Sequence, residues 1–105
     1  MSRHFLYCRV STADQTTSNQ ILAAEKAGHT FKPSRIVEEQ ISGTVPAMER
    51  PKFAELVGKL EEEDVLVVTK MDRLGRNAAD IDRTVETLRA RGVRTGLQII
   101  KEAAN

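Results

Sequence analysis

Two short segments of the chain carry residue types suited to phosphate chemistry. The first, YCRVST, places Tyr7, Arg9 and Ser11 at alternate positions where an apolar N-terminal run gives way to polar sequence. The second, KMDRLGRN, follows another apolar run and carries Lys70, Asp72, Arg73 and Arg76. Grouping several guanidinium ions around a hydroxyl is unfavourable unless an anion joins them, because like charges repel and arginine does not shed its proton. Planar, multiply donating guanidinium suits phosphate, and a phosphoryl group in transfer carries charge on oxygens that such donors can reach. A serine in that setting is a candidate nucleophile at phosphorus. Taken alone, YCRVST also reads as the polar end of a strand.

Other site chemistries fit less well. A serine-histidine-aspartate triad needs a histidine beside Ser11, but His4 has the opposite parity along the strand and His29 follows a helix stop. There is no GxxxxGK[ST] phosphate loop. Glu38, Glu39 and the run Glu61 to Asp64 bring carboxylates without a companion histidine or cysteine, so no metal site and no cofactor are expected. Cys8 lies inside an apolar run, where a buried, inert thiol is the natural reading, and a single cysteine makes no internal disulfide.

The 105 residues suffice for one small domain, and 40% hydrophobic with 30% charged residues is an ordinary globular composition. No run is long enough to cross a bilayer and no signal peptide is evident, so a cytoplasmic location is expected. The formal net charge of +1 conceals a skew. Pro33 to Asp64 holds eight acidic and four basic residues, whereas Lys70 to Arg94 holds seven basic and four acidic, which puts the excess of cations beside KMDRLGRN.

Short apolar runs alternate with helical periodicity, the pattern of an α/β domain. A strand is expected over Arg3 to Val10, a helix from Ser18 to Ala27 with Ile21, Leu22 and Ala24 as its apolar residues, and a short strand over Arg35 to Glu39. The polar loop Gln40 to Arg50 leads to a helix begun by Pro51, in which Phe53, Leu56, Val57 and Leu60 recur at amphipathic spacing. DVLVVT, Asp64 to Thr69, reads as a buried strand. Asn77 is a good N-cap for a helix from Ala78 to Arg91, with Ile81, Val85 and Leu88 on one stripe and Gly92 as its stop; a last strand is expected to begin at Val93. Right-handed crossovers turn this order into a flavodoxin-like, mainly parallel sheet of four to five strands with helices on both faces. In such sheets the ligand crevice lies beyond the carboxyl ends of the first and third strands, which is where Arg9 and Ser11, and Asp72, Arg73 and Arg76, would meet.

Together with ISGTVPAMERP, which carries Ser42, Gly43 and Arg50, these segments resemble the motifs of the serine recombinases of the resolvase and DNA invertase type. The resemblance covers residues 3 to about 94 and rests on three motifs in order. It implies a site-specific DNA recombinase catalytic domain in which Ser11 attacks a DNA phosphodiester, forms a 5′-phosphoserine and releases a 3′ hydroxyl, with no metal or nucleotide needed. By the same match, Arg9, Arg73 and Arg76 would bind the scissile phosphate, Arg50 would complete the cluster from a loop, and Asp72 would assist proton transfer or orient an arginine. Tyr7, Gln15, Gln20, Ser42 and Lys59 sit at positions similar to supporting ones. As residues alone, Gln15 and Gln20 also read as surface residues, Lys59 as a solvated helix lysine and Asp72 as a turn former.

After Arg94 the chain reads TGLQIIKEAAN, where the family continues into a long dimerisation helix and a DNA-reading domain. The expected organisation is a catalytic core over 1–94 and a divergent or truncated tail over 95–105, which lacks the length for either addition. Full-length relatives are expected to act as dimers and synaptic tetramers on DNA, and this chain as a monomer that binds DNA weakly. A non-catalytic remnant that keeps the fold and regulates full-length recombinases is the alternative; an unrelated flavodoxin-like binding module is a more distant one.

Overall fold

The computed structural model describes residues 3–12, 16–93 and 98–99. Its first strand, β1, spans His4–Val10 and is followed by helix α1, Ser18–Lys26. Strand β2, Ile36–Gln40, helix α2, Pro51–Lys59, strand β3, Val65–Val68, and helix α3, Ala78–Ala90, complete the alternation. Short 3₁₀ turns at Ala47–Glu49 and Met71–Leu74 precede α2 and α3. A two-residue strand β4, Gln98–Ile99, pairs with β3. All the pairings are parallel, and the strand order is β2-β1-β3-β4.

This order follows from what each strand buries. In β1, Phe5 and Tyr7 join a core that contains Phe53, Leu56 and Leu88 from α2 and α3, while Leu6 and Cys8 join a second core with Ala24 of α1. The same alternation divides β3, with Leu66 and Val68 on the first side and Val65 and Val67 on the second. A strand buried on both faces has no use for polar positions, hence the continuous apolar runs in FLYC and VLVV. Placing β2 on one side of β1 and β3 on the other leaves a crevice at the carboxyl ends of β1 and β3.

The buried face of α1 and the end of α3 show what the sequence pattern left open. The α1 face that is buried consists of Gln20 and Ala24, a turn apart, while Leu22 projects outward at 48% exposure. Gln20, which by its type alone also reads as a surface residue, is needed inside. At the end of α3, Gly92 takes φ 76°, and Val93 N donates to Leu88 O at 3.1 Å while Gly92 N donates to Arg89 O at 2.9 Å. These bonds satisfy the last helical carbonyls in a left-handed cap. Val93 therefore closes the helix and does not begin a strand; the fourth strand is at Gln98–Ile99.

The amino end of the sheet is tied by charge. Arg3 Nε and Nη2 donate to the two Asp64 carboxylate oxygens at 2.9 and 2.7 Å, and Glu61 N donates to Asp64 at 2.7 Å. Burial acts to raise the Asp64 pKa, but the Arg3 and Glu61 donors and the charges of Arg3 and Arg35 outweigh it, leaving the group below its ordinary value. A depressed carboxylate stabilises the fold above 3.8, and that contribution is lost as the pH falls from there through the folded-state value. Asp64→Asn is therefore expected to be less stable than wild type at neutral pH and to show a shallower fall of Tm below pH 3.8, as read by circular dichroism melts.

Candidate active site

Three arginines, Arg9, Arg50 and Arg73, are braced at the carboxyl ends of β1 and β3, the first and last through Gln20 and Arg50 through the Arg73 carbonyl. Gln20 is the central brace. Its side-chain amide reads the backbone of Arg9 in both senses, with Oε1 accepting from Arg9 N at 3.2 Å and Nε2 donating to Arg9 O at 2.9 Å. The same Oε1 accepts from Arg73 Nε at 3.1 Å. One buried amide thus fixes the end of β1 against the turn after β3.

Arg50 closes the other side. Its side chain is fully buried and donates through Nε to Val45 O at 3.0 Å, through Nη1 to Arg73 O at 2.8 Å and through Nη2 to Gly43 O at a long 3.5 Å. The expectation that Arg50 reaches a phosphate from a loop thus meets a different arrangement in this conformation: its donors hold the loop and the β3 turn together. A buried guanidinium must spend its donors on such acceptors, because desolvating an unpaired charge costs several kcal/mol, on the order of 3 to 5.

Arg9 is 9% exposed and incompletely satisfied. Nη1 donates to Ile41 O at 2.9 Å, but the buried Nε has no hydrogen-bond partner among the described residues. Burial, then the positive charges of Arg73 and Arg50, lower its pKa from the ordinary arginine value. Since arginine stays protonated, that shift expresses strain in the electrostatics. Gly43 lies against this guanidinium, where a Cβ would stand 3.1 Å from Nη2.

Two carboxylates frame the cluster, and neither was singled out as a site residue from the sequence. Glu39 pairs in register with Arg9 across the β1–β2 ladder and is buried. It accepts from Tyr7 Oη at 2.8 Å and from the first free amides of α2, Lys52 N at 2.9 Å and Phe53 N at 3.1 Å. Helix α2 has Arg50 as its N-cap residue and no side-chain cap of its own, so a strand carboxylate supplies the missing acceptor. Burial, with the Glu39 bond and charge, raises the Tyr7 pKa well above its ordinary value and keeps the phenol a donor. The second carboxylate, Asp80, accepts from Ala47 N at 2.9 Å and Arg76 N at 2.8 Å. Its sequence signal was available: NAAD places it three residues after the N-cap Asn77, whose side chain accepts from Asp80 N at 2.9 Å.

The remaining expected residues are distributed around this centre. Ser11 lies just beyond the last residue of β1 and is exposed, so strand alternation does not orient it. Asp72 binds Arg73 Nη1 at 2.7 Å with its side chain 62% exposed. Arg76 stands apart from the three braced arginines, exposed at the rim of a cavity of about 320 Å³ lined by Pro46, Met48, Glu49, Asp80 and Arg83. Ser42 is exposed in the turn before Gly43 and accepts from Thr44 N at 3.2 Å. Lys59 is in the last turn of α2, about 12 Å along the axis from Pro51 at 1.5 Å per residue, and the structure does not bring it to the cluster. Gln15 lies outside the described residues. Cys8 is buried beneath α1, and burial, with the charge of Glu38, pushes its thiol up to about 12, so it is an inert core group. No group of three or more metal-ligating side chains occurs among the described residues, and no described helix is long and apolar enough to cross a membrane.

Comparison with known proteins assigns the family of this α/β domain. The sequence matches the family described as resolvase, N terminal domain, over residues 4–103, and the chain belongs to that family. It is 56% identical over 94 residues to the transposon Tn2501 resolvase of Escherichia coli and 54% identical over 94 residues to the serine recombinase PinR of Escherichia coli K12. Each alignment covers 90% of this chain and 48% of the relative, so the chain spans about half the length of these proteins. A DNA-invertase of Escherichia phage P1 is 41% identical over 87 residues, covering 83% of this chain and 44% of the relative. The fold is also that of a serine recombinase from Sulfolobus solfataricus, at a TM-score of 0.76 and 24% identity, over 100% of this chain and 72% of that one.

The brace can be tested without any substrate. Gln20→Leu removes the acceptor of Arg73 Nε and both partners of the Arg9 backbone, and is expected to cost about 3 kcal/mol of unfolding free energy in urea titrations.

Proposed function

We propose that this chain is a serine recombinase catalytic domain that cleaves and rejoins DNA. Ser11 Oγ bonds to the phosphorus of a phosphodiester as the P–O3′ bond breaks, giving a 5′-phosphoserine and a 3′ hydroxyl that takes up a proton. The serine proton is lost in the same step, and reversal by a new 3′ hydroxyl rejoins the strand. Because the phosphoserine retains the ester bond, rejoining needs no nucleotide.

The observation that carries this reading is the buried, partnerless Nε of Arg9 beside Arg73 and Arg50. A guanidinium so placed gains most from an anion, and developing negative charge on a phosphoryl group in transfer gives it one at the moment of reaction. Arg9 and Arg73 would bind the scissile phosphate. Arg50 would set their positions through Gly43 and Arg73, and the 2.7 Å contact supports Asp72 as the group that orients Arg73. Arg76, at the adjoining cavity, would meet the phosphate from the α3 side, and Gln20 and Tyr7 would support the cluster. Ser42 flanks it on the loop, whereas Lys59 is assigned no direct contact. The resolvase and recombinase relatives support DNA as the partner.

The test is a covalent complex. The chain, fused at its C terminus to a sequence-reading DNA-binding domain, is incubated with nicked duplexes whose randomised crossover sequence lies between two sites for that domain. Denaturing gels should show a protein-DNA adduct through the 5′ phosphate. Ser11→Ala should abolish it and Arg9→Ala should lower it by at least about a hundredfold, the scale of losing one preorganised charge-stabilising donor. An adduct that survives Ser11→Ala would sink the mechanism.

A further inference from the structure

The buried carboxylate of Asp80 joins two segments far apart in the chain. One oxygen, Oδ2, accepts both Ala47 N, on the loop that carries Arg50, and Arg76 N, in the turn that carries Arg73 and Arg76. The side chain is 7% exposed, and its other oxygen lies 3.8 Å from Arg83 Nη2. The packing around it leaves no slack. A Cβ at Gly75 would stand 2.8 Å from Oδ2 and 2.7 Å from Ile81 N, so the turn before Arg76 wraps directly on the carboxylate.

An N-cap partner for α3 does not require this arrangement. Asn77 already caps Asp80 N, and a helix cap alone would not reach a loop 33 residues earlier. Through Ala47 the carboxylate anchors the 3₁₀ turn that leads into Arg50, and Arg50 in turn donates to Arg73 O. Asp80 thus closes a ring of contacts from the α3 terminus through the loop to Arg50, then to Arg73 and back along the chain to Arg76.

We propose that Asp80 is a positioning residue of the arginine cluster, which it holds in phosphate-binding geometry by clasping the Arg50 loop to the Arg73–Arg76 turn. This rests on the phosphate-binding reading of the site given above. The clasp depends on an acceptor oxygen at that point more than on its charge, which separates it from a general electrostatic effect.

The test uses the 105-residue chain with inorganic phosphate as the probe, followed by NMR at the Arg9 and Arg73 side-chain Nε–H signals and at the Ala47 and Arg76 amides. In wild type, phosphate shifts the arginine signals and both amides exchange slowly with solvent. Asp80→Asn, whose side-chain oxygen still accepts both amides, keeps the phosphate Kd within about twofold. Asp80→Ala, though folded by circular dichroism, weakens phosphate binding and speeds exchange of the two amides, each by about tenfold or more. If Asp80→Ala does not fold, Asp80→Glu decides: it keeps the charge but moves the carboxylate by about one carbon-carbon bond, 1.5 Å, and weakens phosphate similarly. Phosphate affinity unchanged in folded Asp80→Ala, or in Asp80→Glu, overturns the positioning role and leaves Asp80 a stability element. Equal weakening in Asp80→Asn and Asp80→Ala overturns the clasp in favour of a charge effect. Wild type that shows no phosphate response fails the site reading itself, an outcome distinct from either of these.

Discussion

The burial of several arginines next to one another is the constraint on which the rest of this structure depends. Guanidinium groups in a low-dielectric setting repel each other and cannot relieve the strain by losing a proton. Their donors must be met in place. The protein meets them with backbone carbonyls of Ile41, Gly43, Val45 and Arg73 and with the amide of Gln20. Those acceptors come from three stretches of chain, so satisfying the arginines also determines how the 40–50 loop, α1 and the turn after β3 lie on the sheet. Arg9 Nε is left buried without a hydrogen-bond partner among the described residues, which is where the cluster is least satisfied.

The carboxylates do complementary work. Glu39 and Asp80 are buried acceptors for backbone amides rather than direct ion-pair partners of the braced arginines. By binding free amides at or just before the starts of α2 and α3, they stabilise the scaffold that carries the arginines. Asp72 makes a close ion pair with Arg73 from an exposed position. A fully neutralised cluster would be easier to bury and of less use for phosphate.

Much of the architecture was legible because burial on two faces leaves a plain mark. FLYC and VLVV announce central strands, the Phe53-Leu56-Val57-Leu60 spacing announces α2, and Asn77 with Gly92 brackets α3. The sequence is less plain where a side-chain amide or a backbone amide is taken up by a partner. By its type Gln20 also reads as a surface residue, yet it is buried because Arg9 and Arg73 take up its amide. Val93 looked like a strand start, yet its amide is consumed by the helix cap.

The same division holds for the site. Residue types and order, set by the sequence, were enough to nominate Ser11, Arg9, Arg73 and Asp72 around a phosphate, since only certain side chains can attack phosphorus or bind its oxygens. What each of the other residues does was decided by tertiary structure. Arg50 is enclosed and turned toward carbonyls, Lys59 is at the far end of its helix, and Arg76 faces an adjoining cavity. Glu39 and Asp80 gained their roles from neighbours 13 to 33 residues away along the chain. Sequence specifies chemical capacity and local periodicity, whereas hydrogen-bond partners across the fold depend on which backbone groups the packed sheet and helices leave unsatisfied.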